Sequence, residues 1–113
     1  MIEAYGDGGF TIAGERFLGS ILVLPSRVEA WSAAQIEDIT LDSLAEVFKE
    51  EPAIELLLVG CGVLQVPPPA ALRQDLSAAG VTVDFMNSGA ACRTFNVLLA
   101  EDRRVAAALI AVS

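Results

Sequence analysis

Apolar and polar positions alternate over the first third of the chain, as is typical of short strands. A glycine-rich turn at residues 6–9 separates two β-prone runs. A further β-rich run over residues 20–24 ends at Pro25, and residues 27–31 then alternate polar and apolar side chains. Such alternation indicates a strand that is covered on one face and open to water on the other. We therefore predict an antiparallel arrangement for this part of the chain.

The spacing changes after Thr40, where helix and strand signals begin to alternate. Thr40 is a suitable N-cap, and Pro52 marks the end of the helix that follows. The pattern predicts helices over 41–48, 70–79 and 89–101, and strands over 54–59, 81–86 and 105–112. Strands joined through helices pair in parallel with right-handed crossovers. We predict one α/β domain over residues 1–113, a mixed sheet with helices packed on it, with βαβαβ order after the antiparallel part.

Length and hydropathy refine this picture. A chain of 113 residues forms one domain with a single core region. A hydrophobic content of 54% and a mean hydropathy of +0.56 indicate strands covered on both faces, or a surface that a partner buries. No apolar stretch reaches the roughly 20 residues that cross a bilayer. The first residues lack the pattern of a signal peptide, so we expect a cytoplasmic bacterial protein.

Charge and residue usage exclude several function classes. A formal net charge of −8, with only one lysine, argues against binding nucleic acid or anionic membranes. The chain contains no histidine, which excludes a Ser-His-Asp triad, a Cys-His pair and any His-ligated metal. We accordingly expect no metal and no cofactor. Cys61 and Cys92 are expected to be free thiols in a reducing compartment.

Two segments are predicted to reach the carboxyl edge of the sheet, where ligands bind in open α/β folds. One follows the strand over 54–59, and the other follows the strand over 81–86. Together they predict a shallow site suited to a carboxylate or another anion, with these candidate residues: Gly60, Cys61, Gly62, Asn87, Ser88, Cys92 and Arg93. A dinucleotide fingerprint is incomplete, since Gln65 stands where the third glycine is needed.

Each of these residues also has a structural interpretation. Cys92 lies in the first turn of a helix beside Arg93, which would lower its pKa, but small cysteines also fill packed interiors. Arg93 either binds an anion or pairs with Asp84 or Glu101. Asn87 and Ser88 are interpreted as helix caps rather than as catalytic groups.

The sequence also resembles a known family along nearly its whole length. The strongest match covers residues 86–101 and 103–109, and weaker matches cover 57–62 and several N-terminal positions: Ile2, Tyr5, Gly6, Gly9, Phe10 and Gly14. By these residues the chain is similar to the family of the mitochondrial respiratory complex I assembly factor three. Two positions depart from the family pattern. Cys61 stands where threonine is frequent, and Phe95 where tyrosine is usual, so both lack a hydroxyl.

The resemblance implies a three-layer α/β domain with a hammerhead-like antiparallel hairpin part. It implies a non-enzymatic protein that aids assembly of membrane-bound respiratory complexes by binding their subunits. On that interpretation Arg93 and the loop over residues 60–62 contact the partner, and the protein is peripheral to the inner membrane through that partner. The alternative is an enzyme that binds a small anion or depends on a thiol and uses a pocket formed by these residues: Gly60, Cys61, Asn87, Cys92 and Arg93. A homodimer that buries its own apolar surface is a third interpretation.

Overall fold

The computed structural model describes residues 1–113 and contains two β-sheets. The smaller sheet is formed by the first three strands, which pair antiparallel in chain order. These strands are β1 (Ile2–Gly6), β2 (Gly9–Ile12) and β3 (Glu15–Leu18). Glycine turns connect them, as the sequence predicts.

The larger sheet has five strands in the order β5-β4-β8-β6-β7. Its strands are β4 (Ile21–Val23), β5 (Val28–Ala30), β6 (Leu56–Gly60), β7 (Thr82–Met86) and β8 (Val105–Leu109). β6 pairs in parallel with both β7 and β8, while β4 pairs antiparallel with β5 and β8. The predicted mixed sheet, with an antiparallel first part and parallel later strands, is confirmed.

Three helices connect these strands: α1 (Ala45–Phe48), α2 (Ala70–Ala78) and α3 (Ser88–Ala100). The prediction of one helix over 41–48 is only partly correct, because a 3-10 turn at Asp42–Leu44 precedes the single turn of α1. The indole N–H of Trp31 donates to the Ser43 carbonyl at 2.8 Å, which is the carbonyl that a continuous α-helix would offer to Val47. None of the three helices has the length and apolar composition needed to span a membrane.

The large sheet is the middle of three layers. Along β6, Leu57 and Val59 face the layer that contains α1 and α2, whereas Leu58 faces α3 and the small sheet. All three of these side chains are fully buried. The two-sided burial explains the high hydropathy of the chain, since a strand in this position has no polar face.

Paired charges gather at the amino ends of β6 and β8. Arg27 contacts Glu29, Glu46 and Glu50, and a hydrogen bond to Glu29 raises the pKa of the Arg27 guanidinium. Further ion pairs join Lys49 to Glu46, Arg103 to Glu55 and Arg104 to Glu50. Three arginines have no carboxylate oxygen within 4.0 Å: Arg16, Arg73 and Arg93.

Candidate functional site

The carboxyl ends of β6 and β8 meet the start of α3 at the Ser88 side chain. The Ser88 hydroxyl donates to the Ile110 carbonyl at 2.6 Å and accepts from the Gly62 N–H at 3.0 Å. The Ser88 N–H in turn donates to the Gly62 carbonyl at 2.8 Å. Ser88 is fully buried and is the one polar residue in the buried set. We call this arrangement the Ser88 junction.

Gly60 allows α3 to approach the sheet this closely. A Cβ atom at position 60 would lie 2.9 Å from the Ser88 Cα and 3.0 Å from its hydroxyl oxygen. The nearest of these atoms is backbone, so no side-chain rotation would relieve the clash. Glycine is therefore required at the end of β6, and the glycine bend predicted beside α3 lies there.

Asn87 caps α3, as its sequence position indicates. Its side-chain oxygen accepts a hydrogen bond from the Ala90 N–H at 2.8 Å, which satisfies one of the free donors at the helix start. The end of β7, the strand before α3, is joined to the chain after β6, because the Met86 carbonyl accepts a hydrogen bond from the Cys61 N–H at 2.7 Å. The role of Asn87 in this structure is thus to fix the direction of α3.

Tyr5 of β1 covers the amino end of α3, a contact that the sequence pattern does not indicate. A Cβ atom at Gly89 would lie 2.5 Å from the Tyr5 hydroxyl oxygen, so the ring packs directly on the glycine backbone. The Arg93 guanidinium donates to the same hydroxyl at 3.4 Å. Arg93 pairs with neither Asp84 nor Glu101, contrary to one of its two predicted roles.

The two cysteines lie on opposite faces of the large sheet. Cys61 packs in the layer with α1 and α2, whereas Cys92 packs between α3 and the small sheet. Burial raises the pKa of both thiols, and that of Cys92 rises to about 11 despite the nearby Arg93. Both thiols are therefore protonated at neutral pH, and the predicted arrangement of the two around one pocket is not formed.

Of the seven candidate residues, five are buried, Asn87 is half-buried and Arg93 is exposed. The backbone or side chains of the five buried residues serve the junction or the core: Gly60, Cys61, Gly62, Ser88 and Cys92. Arg93 is exposed and borders a cleft of ≈ 340 Å³ that Tyr5, Glu3 and Asn96 also line. The Asn96 amide is already used, since it donates to the Ile2 carbonyl and accepts from the Ile2 N–H, both at 2.8 Å. The Arg93 guanidinium and the Tyr5 hydroxyl thus keep donors free in this cleft.

An exposed apolar loop follows the Ser88 junction. Val63 and Leu64 are 74% and 73% exposed, and Val66 is 38% exposed. The loop begins at Gly62, which the junction holds in place, and it ends at a run of three prolines. The candidate residues predicted from sequence stop at Gly62 and miss this loop. One feature of the sequence does indicate this loop. Three large apolar residues stand between a glycine and a run of prolines, a place where polar residues are usual.

Comparison with known proteins places the chain among relatives of the same fold. The model of a family described as "Protein of unknown function (DUF498/DUF598)" matches residues 2–110. The zebrafish (Danio rerio) protein named NADH dehydrogenase [ubiquinone] 1 alpha subcomplex assembly factor 3 is 36% identical over 97% of this chain and 63% of its own length. An uncharacterized protein of Rhodobacter capsulatus is 36% identical over 96% of this chain and 82% of its own. The chain thus spans less than two thirds of the zebrafish protein.

Solved structures agree with this relationship. A structure described as an outer membrane protein from Bartonella henselae superposes with a TM-score of 0.90 at 44% identity, over 99% of this chain and 94% of that one. A Bordetella pertussis protein described as an Mth938-like domain superposes with a TM-score of 0.79 at 34% identity, over 99% and 87% of the two chains. The α/β fold of this chain is therefore shared with both.

Ser88→Ala tests the junction. The substitution leaves the Gly62 N–H and the Ile110 carbonyl without their side-chain partner inside the core. We expect a loss of about 1–3 kcal/mol in the free energy of unfolding, measured by urea denaturation. Ser77→Ala, at an exposed position of α2, is the matched control and should change stability by less than about 0.5 kcal/mol. Equal effects of the two substitutions would contradict the junction.

The raised pKa of Cys92 predicts a pH dependence of stability. The folded-state pKa of about 11 exceeds the ordinary value of 9.0, so the unfolded chain loses this proton first as pH rises. The contribution of the thiol is therefore complete below pH 9 and is lost as pH rises towards 11. We expect the difference in unfolding free energy between wild type and Cys92→Ala to be constant below pH 9 and to shrink above it. A difference that stays constant up to pH 11 would contradict the burial of this thiol.

Proposed function

The chain belongs to the family described as protein of unknown function (DUF498/DUF598), and we propose that it is a non-enzymatic assembly factor that binds protein partners. The name of the zebrafish relative identifies that protein as an assembly factor of a respiratory complex. We propose the same class of partner for this chain, namely subunits of a membrane-bound respiratory complex. On this proposal the protein works in the cytoplasm and reaches the inner membrane through its partner.

The observation that carries the proposal is the exposed apolar loop beyond the Ser88 junction. Two large side chains, Val63 and Leu64, stand about three quarters exposed next to a backbone that is fixed by buried hydrogen bonds. Apolar side chains on a rigid base suit binding, because little conformational freedom is lost when a partner covers them. Each such side chain contributes about 1.5–3 kcal/mol when it is fully buried.

Contacts within the chain connect this loop to the exposed cation. Gly62 contacts Ser88, the next residue Gly89 supports the Tyr5 ring, and the Tyr5 hydroxyl receives the Arg93 hydrogen bond. We infer that the loop and Arg93 form one contact surface, with apolar residues at one end and a guanidinium at the other. A partner that fits it would present an apolar patch beside a carboxylate.

Affinity purification with a loop variant tests the proposal. We expect tagged wild-type protein, expressed in its native cells, to recover respiratory-complex subunits. The double substitution Val63→Ser with Leu64→Ser should reduce that recovery at least ~tenfold, because two apolar contacts are lost. Both positions are exposed, so the melting temperature should not fall.

Val97→Ser is the matched control, because Val97 is 58% exposed on α3 and lies nine positions beyond Ser88. It should leave recovery unchanged. Recovery of unrelated soluble enzymes alone, or equal recovery by the loop variant, would contradict the proposal. A sedimentation experiment on the purified protein would show whether the loop is instead covered by a second copy.

A small-anion site is the second candidate function, and the unpaired Arg93 beside the ≈ 340 Å³ cleft favours it. The cleft offers a guanidinium and a phenol hydroxyl, which suit a carboxylate or phosphate, while the Glu3 carboxylate that also lines it opposes an anion. The thiol-dependent form of this alternative is disfavoured, because the Cys92 thiol is 3% exposed and protonated at neutral pH.

A thermal-shift screen against small carboxylates and phosphates tests this second candidate. A ligand present at about 100 times its Kd adds about 2.7 kcal/mol of stability, which is a readily measured shift. Arg93→Ala should abolish the shift, whereas Arg16→Ala should preserve it, since Arg16 lies on the small sheet and contacts only the Gly6 and Asp7 carbonyls. A screen without any Arg93-dependent shift would reject the anion site.

A further inference from the structure

The two outer strands of the large sheet differ in how well they are protected. β5 has three residues, and the ion pairs of Arg27 and Glu29 lie beside it. β7 has five residues with no proline, no lysine and no bulge in its pairing with β6. Short length, charge, proline and bulges are the usual means by which a sheet edge avoids pairing with another chain. Apart from the Asp84 charge and the Gln65 side chain at the Phe85 carbonyl, β7 lacks them.

The backbone of β7 offers hydrogen-bonding groups on its outer side. The Met86 carbonyl accepts from Cys61 and therefore points towards the interior of the sheet. Because successive residues of a strand point their backbone groups to opposite sides, the N–H and carbonyl groups of Val83 and Phe85 point outward. The Gln65 side-chain amide donates to the Phe85 carbonyl at 3.0 Å, so a donor from outside the sheet already occupies one position where an added strand would pair.

A groove runs along this edge. Two adjacent depressions of ≈ 490 and ≈ 430 Å³ share Arg73, Val83 and Phe85 as lining residues. Further apolar lining comes from α2 and the start of β7 on one side and from the proline segment on the other: Leu76, Val81, Val66, Pro67 and Pro68. An extended segment lying beside β7 would place alternate side chains in this groove.

The groove carries one unpaired positive charge. The Arg73 guanidinium makes neither a salt bridge nor a hydrogen bond, although the chain has an excess of eight negative charges. Asp84 lines one of the two depressions, but its carboxylate lies more than 4.0 Å from the Arg73 guanidinium. Arg73 is therefore available to a carboxylate that arrives from outside.

We propose that the β7 edge binds an extended segment of a partner protein, which adds a strand to the sheet and places an Asp or Glu side chain against Arg73. Backbone pairing supplies affinity in this mode, and the side-chain pockets supply specificity. A second copy of this chain fits less well. Antiparallel pairing of two β7 strands about their centre would set the two Asp84 carboxylates opposite each other, and like charges in that position are destabilising.

This inference rests on the proposed function only in assuming a protein partner. The β7 groove shares Val66 with the apolar loop, but it is lined by none of Val63, Leu64 and Arg93. Selection from a random-peptide display library on the purified protein tests it. We expect the recovered peptides to be β-prone, with an acidic residue at a fixed position between apolar ones. Selection on Arg73→Glu should instead recover a basic residue at that position.

A synthetic copy of a selected peptide then provides the quantitative test. Its Kd should rise about tenfold or more in Arg73→Glu, because a charge-assisted hydrogen bond is replaced by repulsion. Arg16→Glu changes the net charge equally at another unpaired arginine and should leave the Kd unchanged. In NMR titration, the amides of Val83 and Phe85 should show the largest shifts and become protected from hydrogen exchange.

The proposal would be overturned by a selection that enriches no peptide, by a peptide Kd that is unchanged in Arg73→Glu, or by NMR shifts that map away from β7. Protection of the β7 amides in the absence of peptide, in a protein that sediments as a dimer, would assign the edge to a second copy and also overturn it. The double loop variant should keep full peptide affinity, and Arg73→Glu should keep the contact made by the loop. Failure at one surface is thereby distinguishable from failure at the other.

Discussion

The Ser88 hydroxyl lies where the ends of two central strands and the start of α3 meet, and the layout of the carboxyl edge depends on it. Its hydrogen bonds to Gly62 and Ile110 join segments that are far apart in sequence. A buried hydroxyl is costly unless it is bonded, so the chain must bring these segments together for Ser88 to be buried at all. Gly60 allows this approach, because any side chain there would meet the backbone of α3.

This tight junction occupies the part of the carboxyl edge where β6, β8 and the start of α3 meet. In many open α/β folds the space beyond the strand ends receives a ligand. Here part of that space is filled by the Ser88 junction and by Tyr5 resting on Gly89, and a depression of ≈ 310 Å³ lined by Cys61, Gly62 and Ile110 remains beside the junction. The partner surfaces proposed above lie outside the junction, at the apolar loop after Gly62 and at Arg93, which is exposed on α3. An interaction protein can use such surfaces because its partner supplies the missing cover.

The distribution of charge leads to a related conclusion. At the opposite end of the sheet, the cations are used within the chain by glutamates that surround Arg27 and neighbouring residues. Arg73 and Arg93 remain without carboxylate partners, on two separate surfaces. In a strongly acidic protein, positive charges left unpaired beside grooves give those places a preference for negatively charged groups.

Much of the fold follows from local patterns in the sequence. Alternation, glycine turns and the helical spacing of Leu72 and Leu76 predict nearly every element, because these patterns report which face of each element must avoid water. Asn87 likewise identifies the start of α3, since capping needs only neighbouring residues. The predicted helix over 41–48 departs from the structure because the Trp31 indole, twelve residues away from Ser43, takes part in its hydrogen bonding.

The sequence alone therefore determined the α/β class, the parallel pairing of the later strands and the adjacency of the glycine bend to α3. Only the tertiary structure decided that Cys61 and Cys92 lie on opposite faces, that Tyr5 covers Gly89 and that Arg93 pairs with no carboxylate. It also decided that Val63 and Leu64 are exposed and that β7 lies at an edge. These properties depend on which distant segments pack against a residue, and the residues next to it in the sequence do not determine those segments.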